Sequence, residues 1–346
     1  MNLPGTNPRW LRLLLAPATV GYHAVIAARN LWYDRVSSAS HDAGVPVISV
    51  GNLTVGGTGK TPLTIEIVSR LRAAGHRPAI LTRGYGAAAE AVADEVQEFH
   101  LALPDVPVVV NPNRVAGAAT ARQQHNADCL VLDDGFQHRR LRRTFDVVLI
   151  DALNPWGGGR LLPAGRLREP PASLRRAHWV VITRSNQVDP VAVQELMRTI
   201  QHWAPAVPIS RAALAPSQLV AADDQVRPVD VLRERVVLPV CGLGNPGTFL
   251  RLLRQLSDHV VEPLVFPDHH RYSAIDVLAI TNEARRQEAA CVVTTRKDWV
   301  KLGTLWASSP DAGGTAELLR LEARLELADP RGEFAARLRH LFEESK

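Results

Sequence analysis

Short apolar runs alternate along the chain with stretches whose apolar residues recur every three or four positions. The run at residues 46–50 ends at Gly51 and predicts a buried strand, while Leu63, Ile67 and Leu71 recur at helical spacing before Gly75. Further strands are predicted at 79–82, 106–110, 129–132, 147–150 and 179–182, with a helix at 114–125. Strands that alternate with helices form βαβ units, so we predict an α/β fold of the P-loop NTPase type, with a mostly parallel sheet and helices on both faces.

The alternation weakens where prolines accumulate, between residues 205 and 228, and then resumes. Strands at 236–240 and 291–294, helices at 248–256 and 274–287 and a loop at 266–272 indicate a second, smaller α/β unit. Ser273 with Asp276 predicts a capping box for the second of these helices. A helix at 331–342 closes the chain. We therefore expect an N-terminal helical segment (1–35), a larger domain (36–210) and a smaller C-terminal α/β domain (211–346).

The composition is that of a soluble globular protein. The 346 residues are 46% apolar and 22% charged, which excludes wholesale disorder, collagen-like chains and coiled coils. The three cysteines lie far apart with no CxxC pair, which argues against a disulfide framework or a zinc finger and fits a reducing compartment. The net charge of +5 suggests an anionic ligand or surface. Because aromatic and basic residues are not interleaved as in a stacking platform, we expect no nucleic-acid partner.

The N-terminal segment admits three interpretations. Its most apolar stretch, 10–28, is interrupted by polar residues, proline and glycine, whereas a membrane-spanning helix needs about 18 apolar residues. The segment loosely imitates a signal peptide, and it also fits a helix that packs on the domain. The third interpretation is an interfacial helix that inserts its apolar and aromatic residues into lipid while its arginines meet headgroups. The residues concerned are Trp10, Leu14, Tyr22, Ile26, Trp32 and Tyr33, with Arg12, Arg29 and Arg35.

The clearest chemical motif lies between the first predicted strand and the helix after it. It reads Thr54-Val55-Gly56-Gly57-Thr58-Gly59-Lys60-Thr61. A phosphate-binding loop needs unobstructed backbone N–H groups, a helix N-terminus, a lysine for the phosphates and a hydroxyl for Mg²⁺. Gly59, Lys60 and Thr61 supply the last parts, although the strict pattern has Gly where this chain has Thr54. We predict a P-loop rather than an ordinary glycine-rich turn.

Two acidic residues follow a later apolar strand, where P-loop enzymes place the carboxylate that holds Mg²⁺ or its water shell. The segment reads Leu130-Val131-Leu132-Asp133-Asp134-Gly135, and a simple Asp-Gly turn is the alternative. Gln137 and His138 come next and are candidates for contact with nucleotide or substrate. The arginines after them, Arg139, Arg140, Arg142 and Arg143, form either a solvated basic face or an anion contact.

Two other segments stay ambiguous on their residues alone. Asp94-Glu95 reads as surface charge unless another observation assigns it a role. Asp268-His269-His270 is either a loop cap or an Asp–His pair that moves a proton.

Together these motifs resemble the tetraacyldisaccharide 4'-kinase family of lipid A biosynthesis. The resemblance extends from the N-terminal aromatic helix to the strand near Cys291 and rests on motifs in the same order. They occupy residues 51–62, Thr82-Arg83-Gly84-Tyr85-Gly86, residues 133–138, 161–169, 241–246 and 266–270, and Thr295-Arg296-Lys297-Asp298. Thr at position 54 is ordinary in this family.

The resemblance implies that the γ-phosphoryl group of ATP is transferred to the 4'-hydroxyl of an acylated glucosamine disaccharide 1-phosphate. It implies that residues 54–61 bind ATP, with Lys60 catalytic, and that Thr61, Glu95, Asp133 and Asp134 are candidate Mg²⁺ ligands. The proton acceptor corresponds to Asp94, assisted by His269, although Ala93 and Val96 replace the family's flanking Gly and Pro. Further candidate phosphate or substrate contacts are Arg83, Tyr85, Gln137, His138 and Arg168. Because Asp94 and His269 fall in different expected domains, we expect closure of an interdomain cleft to assemble the site.

A lipid substrate in a bilayer also favours the interfacial interpretation of the N-terminal segment. We therefore expect peripheral association with the cytoplasmic face of the inner membrane, and no obligate protein partner. The alternative function is a P-loop NTPase that acts as an assembly or metal-insertion factor, since similar loops occur in that class. The sequence lacks the Cys/His cluster that often accompanies it.

Overall fold

The computed structural model describes residues 9–84, 89–268, 270–309 and 316–343. The helices of these residues are α1 (Arg9–Leu14), α2 (Ala16–Arg35), α3 (Lys60–Ala73), α4 (Ala89–Ala102), α5 (Arg114–His125), α6 (Pro190–Trp203), α7 (Gly247–Leu256), α8 (Ala274–Arg286), α9 (Arg296–Ser308) and α10 (Glu333–Glu343). The strands are β1 (Val47–Asn52), β2 (Pro78–Thr82), β3 (Val108–Val110), β4 (Cys129–Asp133), β5 (Phe145–Asp151), β6 (Trp179–Thr183), β7 (Ile209–Ala221), β8 (Val226–Arg227), β9 (Val237–Cys241), β10 (Leu264–Val265), β11 (Cys291–Thr295) and β12 (Glu317–Ala328).

The chain divides into two compact units, and it changes unit four times. Unit 1 contains residues 1–84, 105–213 and 325–346, and unit 2 contains residues 85–104 and 214–324. The division at 213/214 lies inside β7 and close to the expected junction at residue 210. Two segments differ from the expected domains. The α4 segment belongs to unit 2, where α4 packs against α9, and α10 belongs to unit 1, where Phe334 contacts Trp179 and Phe145.

Unit 1 is built on a parallel sheet in the strand order β7-β6-β5-β1-β4-β2-β3. Every residue of β1, β2, β4 and β6 is buried. Since successive side chains of a strand point to opposite faces, complete burial means that both faces of the sheet are covered. The predicted α/β class with a mostly parallel sheet is confirmed, and the predicted strand at 106–110 is the shorter β3.

The register of unit 1 brings several strand ends to one edge of the sheet. Val50 of β1 lies opposite Asp133 of β4, and Asp151 of β5 lies opposite Thr183 of β6. The loops that leave the carboxyl ends of these strands therefore start side by side. Ligands of open α/β sheets bind at this edge, outside the carboxyl ends of the strands.

In unit 2 the strands follow the order β10-β9-β11-β12, all paired in parallel, with β7 beside β12 and β8 antiparallel to β7. Its core includes Leu238, Val292 and Val277. The predicted capping box of α8 is confirmed, because the Ser273 side chain and Asp276 bond each other's backbone N–H groups. The strands β7 and β12 were not predicted. β7 contains Pro216 and lacks a regular alternation of buried and exposed residues.

The helix α2 packs on unit 1, as one of the three interpretations of the N-terminal segment predicted, and leaves an apolar face exposed. One face docks on unit 1 through polar contacts: Tyr22 Oη donates to the carbonyl of Arg168 (2.9 Å), and Asn30 Nδ2 donates to Glu169 (2.8 Å). The other face is exposed and apolar, with Val20, Val25, Leu31 and Trp32, and it continues to Trp10 and Leu14. None of the described helices has the length and apolar character needed to cross a membrane.

This arrangement corrects which residues of the segment could meet lipid. Tyr22, Ile26 and Tyr33 are half-buried on the docked face rather than exposed, and the Arg29 guanidinium donates to the carbonyl of Gln137. The apolar residues of the docked face and those of the exposed face both recur at helical spacing. Periodicity alone therefore does not show which of the two faces is exposed.

Candidate functional site

The predicted P-loop connects β1 to α3 at the carboxyl edge of the unit 1 sheet. Gly59 precedes α3 in the left-handed conformation (φ 89°), and Gly56 has φ 122°. Glycine adopts these angles without the steric cost that a Cβ atom adds. At Gly56 a Cβ would also lie 2.5 Å from the guanidinium of Arg166. The glycines therefore permit a path for residues 53–59 that other residues would strain.

A strap formed by residues 166–168 holds the start of this loop. The amide of Val55 donates to the carbonyl of Arg166 (2.8 Å), and the amide of Arg168 donates to the carbonyl of Leu53 (2.7 Å). Leu167, between them, is buried and forms an antiparallel bridge with Thr54. The strap comes from the 161–169 motif, so this motif and the P-loop form one local structure.

Lys60, Asp134 and Arg168 form a cluster at the start of α3. Lys60 Nζ lies 3.7 Å from Asp134 Oδ1, and Arg168 Nη1 lies 2.7 Å from Asp134 Oδ2. Burial by itself raises the pKa of Asp134, but the charges of Lys60 and Arg168 and the hydrogen bond from Arg168 outweigh it and lower that pKa. Asp134 is therefore ionised at neutral pH and balances one of two cations. The cluster keeps a net positive charge.

The remaining predicted metal ligands divide between the two units. Asp133 is 1% exposed, and its Oδ1 accepts a hydrogen bond from Thr64 Oγ1 of α3 (3.0 Å). Thr61, the second residue of α3, is half-buried. Glu95 lies on α4 and belongs to unit 2. The structure thus gathers Thr61, Asp133 and Asp134 around the start of α3 in unit 1, and Glu95 is not part of that unit.

Gln137 and His138 follow the acidic pair, and only Gln137 contacts the cluster. Gln137 Nε2 donates to the carbonyl of Asn52 (3.0 Å), and its Oε1 accepts from Arg168 (3.3 Å). Burial, reinforced by several nearby arginines, lowers the pKa of His138 to about 4 from an ordinary 6.5. His138 is therefore a neutral imidazole at pH 7, with a buried Nε2 that has no hydrogen-bond partner among the described residues. Arg83 is exposed after β2.

The donors and acceptors of this cluster fit a magnesium nucleotide. Thr58 Oγ1 and Asp134 Oδ1 are buried but have no hydrogen-bond partner in the described part of the chain. Buried polar atoms are normally paired, so such orphans indicate a place for a ligand or its water shell. Oxygen ligands are also those that Mg²⁺ prefers. Across residues 9–84, 89–268, 270–309 and 316–343, no group of three or more His, Cys, Asp and Glu side chains is placed to hold a metal by itself.

Of the two predicted proton-transfer residues, the structure describes the backbone of Asp94, which belongs to unit 2. Asp94 lies on α4, and its side chain is outside the described residues, as are His269 and Tyr85. Residue 268 is described: Asp268 pairs with Lys297 Nζ at 2.5 Å. Residues 85–104 and 214–324 form a single compact unit. The α4 segment, which we expected in the larger domain, packs with α9 in unit 2. The assembly of Asp94 with His269 stays a prediction.

His270, which follows, has a structural environment of its own. Its ring stacks on Phe266 (centroids 4.7 Å apart), and its Nε2 lies 3.3 Å from Asp276 of the capping box. His270 therefore contacts the capping box of α8, while the choice between a loop cap and a proton-moving Asp–His pair stays a prediction.

Sequence reasoning missed the residues that hold the far side of the P-loop. Arg184 donates to the carbonyl of Gly57 (2.5 Å), and Thr183 Oγ1 donates to the carbonyl of Thr58 (2.9 Å). Arg184 is anchored by Asp151 at 2.7 Å. All three residues lie at the carboxyl ends of β5 and β6. We selected Asp133 and Asp134 because polar residues directly follow an apolar strand there. The same rule would also have selected Asp151, Thr183 and Arg184.

Over nearly its whole length the chain is similar to one family of kinases. The family model for LpxK, tetraacyldisaccharide-1-P 4'-kinase, matches residues 11–343. The tetraacyldisaccharide 4'-kinase of Anaeromyxobacter dehalogenans (strain 2CP-C) is 40% identical over 329 residues, 90% of this chain and 86% of the relative. That of Halothermothrix orenii is 36% identical and covers 81% of this chain and 80% of the relative. The crystal structure of LpxK from Aquifex aeolicus in complex with ATP superposes with a TM-score of 0.74 at 31% identity, over 95% of this chain and 98% of that chain.

Proposed function

Because the chain belongs to the tetraacyldisaccharide-1-P 4'-kinase family, we propose that it transfers the γ-phosphoryl group of ATP to the 4'-hydroxyl of an acylated glucosamine disaccharide 1-phosphate. The product is the 4'-phosphorylated lipid A precursor. The observation that carries the proposal is the cluster at the start of α3, where Lys60 and Arg168 share one carboxylate behind a glycine-rich loop. That arrangement belongs to phosphate binding rather than to an ordinary turn.

The phosphate chain of ATP is assigned to the P-loop, residues 54–61. Phosphoryl transfer is dominated by positioning and by neutralisation of negative charge. Lys60 and Arg168 supply two positive charges beside the loop, and Asp134 cancels one of them. The cluster therefore attracts a polyanion, and the helix α3 directs its N-terminus toward the same place.

Mg²⁺ is assigned to Thr61, Asp133 and Asp134, with Glu95 as a candidate from unit 2. When bound there, the ion would supply positive charge that neutralises the negative charge developing during transfer. Asp133 is held by Thr64 and lies directly before Asp134. These two acids therefore present carboxylate oxygens from one strand end to the first turn of α3.

Asp94 is assigned as the acceptor of the proton from the sugar hydroxyl, with His269 tuning or orienting it. The support is the matching acidic pair of the family motif at Asp94-Glu95. General-base catalysis of this kind contributes roughly 10²–10⁴-fold to a rate.

Contact with the lipid substrate is assigned to a membrane surface reached by α1 and α2. The exposed face of these helices carries large apolar residues, among them Trp10, Val25 and Trp32. Exposed apolar and aromatic side chains of this kind can insert at the boundary between headgroups and acyl chains. We therefore propose peripheral association with the cytoplasmic face of the inner membrane, where an ATP-dependent enzyme also meets its nucleotide.

A lipid-labelling assay tests the proposed function. Purified protein is incubated with γ-labelled ATP, Mg²⁺ and the detergent-dispersed disaccharide lipid, and label is measured in the lipid and in inorganic phosphate. We expect label in the lipid, lost when EDTA replaces Mg²⁺. Label that appears only as inorganic phosphate would contradict the kinase assignment and support the NTPase alternative.

Two variants test the assigned residues in the same assay. Lys60→Met should abolish transfer, and Asp94→Ala should lower kcat by at least about 10²-fold, the lower limit for loss of a general base. Asp258→Ala, which removes an exposed acid from unit 2, is the matched control and should leave kcat unchanged. Near-normal turnover of Asp94→Ala would refute its assignment as base.

A further inference from the structure

Two neighbouring carbonyl groups of the P-loop accept hydrogen bonds from side chains at the carboxyl end of β6. Arg184 Nη2 lies 2.5 Å from the carbonyl oxygen of Gly57, and Thr183 Oγ1 lies 2.9 Å from that of Thr58. Thr183 is buried at 3% exposure, so its hydroxyl has little access to water as a competing partner. The contact of Thr183 is therefore shielded from water, whereas the contact of Arg184 lies at the exposed side of the loop.

Arg184 is itself held in place by two features. Its Nη1 donates to Asp151 Oδ2 at 2.7 Å, and both side chains are mostly buried, at 16% and 12% exposure. Its backbone is in the left-handed region (φ 54°), which is unfavourable for a residue with a Cβ atom. A strained backbone and a buried ion pair both serve to direct this guanidinium at the P-loop.

These contacts determine the direction of the loop amides. In a planar trans peptide, the C=O of one residue and the N–H of the next point in opposite directions. When the carbonyls of Gly57 and Thr58 point at Arg184 and Thr183, the N–H groups of Thr58 and Gly59 point away from β6. Phosphate binding needs such N–H groups to be aligned before the ligand arrives, since alignment during binding costs conformational entropy.

We propose that Arg184 and Thr183 are positioning residues that preorganise the P-loop amides for the nucleotide, with Asp151 as the anchor of Arg184. The inference rests on the proposed function, in which this loop binds ATP. It assigns no contact between Arg184 and the nucleotide. Its guanidinium acts on the loop carbonyl.

A rival explanation is that Arg184 acts only as a positive charge near the phosphates. The two explanations differ for Asp151→Asn, which removes a negative charge and leaves Arg184 in place. Simple attraction predicts tighter nucleotide binding by this variant, whereas positioning predicts weaker binding because the guanidinium loses its anchor. They differ also for Thr183→Val, which changes no charge.

The experiment measures binding of MgADP, which is not turned over, by isothermal titration calorimetry on the full chain. Arg184→Met should raise Kd by about 10-fold, because it removes a hydrogen bond from a charged donor. Thr183→Val should raise Kd by about 5-fold, because it removes a hydrogen bond from a neutral donor. Asp151→Asn should also raise Kd. Thr183→Ser retains the hydroxyl and should bind like the wild type, as should Arg70→Met, which removes an arginine paired with Glu66 on α3.

Thermal unfolding of each variant separates binding from folding. Arg184→Met leaves Asp151 buried without its cation and is expected to be less stable. The double variant Asp151→Asn with Arg184→Met removes both charges, so it should recover stability while its Kd for MgADP stays high. In initial-rate assays the variants should raise KM for ATP more than they lower kcat, with KM for the lipid unchanged.

The outcomes distinguish the inference from the function on which it rests. If the wild-type chain gave no heat with MgADP, the proposed function would fail and the inference with it. If the wild type bound but Thr183→Val bound equally well, the positioning role would be overturned while the kinase assignment stood. Tighter binding by Asp151→Asn would likewise overturn it in favour of simple charge attraction.

Discussion

At the scale of single residues, buried polar atoms carry most of the chemical information. Asp134 has a positive φ of 53° and pairs with both Lys60 and Arg168. His138 is neutral because burial and nearby arginines oppose its protonation. The sequence around these side chains does not indicate their charge states, which are set by the groups that surround them in the fold.

His138 makes stability depend on pH in a predictable direction. The unfolded chain takes up a proton on this imidazole near pH 6.5, but the folded chain does so only near pH 4, because the folded pKa is lowered. The unfolded state therefore binds more protons within this window, so the free energy of unfolding is highest above it and decreases as pH falls through it. His138→Gln removes this titration and should flatten that part of the pH profile.

Urea unfolding at about pH 7.5 and about pH 5 measures this effect. The change in midpoint between the two conditions should be smaller in His138→Gln than in the wild type. His125→Gln, which removes an exposed imidazole from α5, is the control and should keep the wild-type change. An unaltered change in His138→Gln would contradict the assignment of the neutral imidazole.

At the scale of elements, the P-loop depends on the backbone angles of particular glycines, and α2 depends on which of its two faces is docked. The P-loop requires positive φ at Gly56 and Gly59, whereas Gly57 has no such requirement and its added Cβ would meet no atom within 4 Å. The helix α2 has a polar docked face and an apolar exposed face. Neighbouring positions of one element therefore differ sharply in their tolerance.

Gly56→Ala should destabilise the protein more than Gly57→Ala. At Gly56 the angle of 122° is strained for alanine, and this costs about 1–3 kcal/mol. The clash with Arg166 adds less, because the end of that flexible side chain can move. Denaturant unfolding of both variants checks the difference, and equal losses of stability would show that the loop path is not set by this angle.

The two faces of α2 should respond differently to substitution. Val25→Glu places a charge on the exposed face, where Val25 is 66% accessible, and should weaken sedimentation with anionic vesicles without lowering Tm. Asn30→Ala removes a hydrogen bond to Glu169, which is fully buried, and should cost about 1–3 kcal/mol of stability. If Val25→Glu left vesicle binding unchanged, the exposed face would not be the membrane contact.

At the scale of the whole molecule, each compact unit is assembled from segments that are distant in sequence. Unit 1 takes its last helix, α10, from the C-terminal end of the chain, and unit 2 takes α4 from between two strands of unit 1. Phe334 of α10 has no exposed surface and lies edge-on against Trp179 of β6, with ring centroids 5.2 Å apart. The C-terminal helix is therefore part of the core that supports the P-loop sheet.

Phe334→Ala should destabilise unit 1 selectively. Removal of a fully buried phenylalanine costs about 3–5 kcal/mol through lost burial and a residual cavity. Hydrogen exchange should show faster exchange in β5 and β6, with β9 and β11 little changed. Phe249→Ala in the core of unit 2 is the reciprocal control, expected to accelerate exchange in β9 and β11. Uniform acceleration in both units by Phe334→Ala would contradict separate cores.

Much of the fold and of the phosphate end of the site could be predicted from local sequence. The apolar run before Gly51, the glycines and the periodicity after Lys60 predict the strand, loop and helix of the P-loop, and each is confirmed in the structure. The acids Asp133 and Asp134 were found by the same rule. The same rule applies to three residues that we did not select, Asp151, Thr183 and Arg184. An arginine after a strand is common on protein surfaces, so only its contacts with the P-loop identify Arg184 as part of the site.

What the sequence alone determined is mostly local: the parallel α/β class, the P-loop and the capping box of α8. These depend on periodicity, backbone angles and hydrogen bonds between residues that are close along the chain, whereas the kinase family was found by the resemblance of a series of motifs. The tertiary structure decided which unit contains α4 and α10, which face of α2 is exposed, and which groups hold the P-loop carbonyls. Those outcomes depend on burial and pairing between residues far apart in sequence, and no local pattern encodes the partner that a side chain will meet.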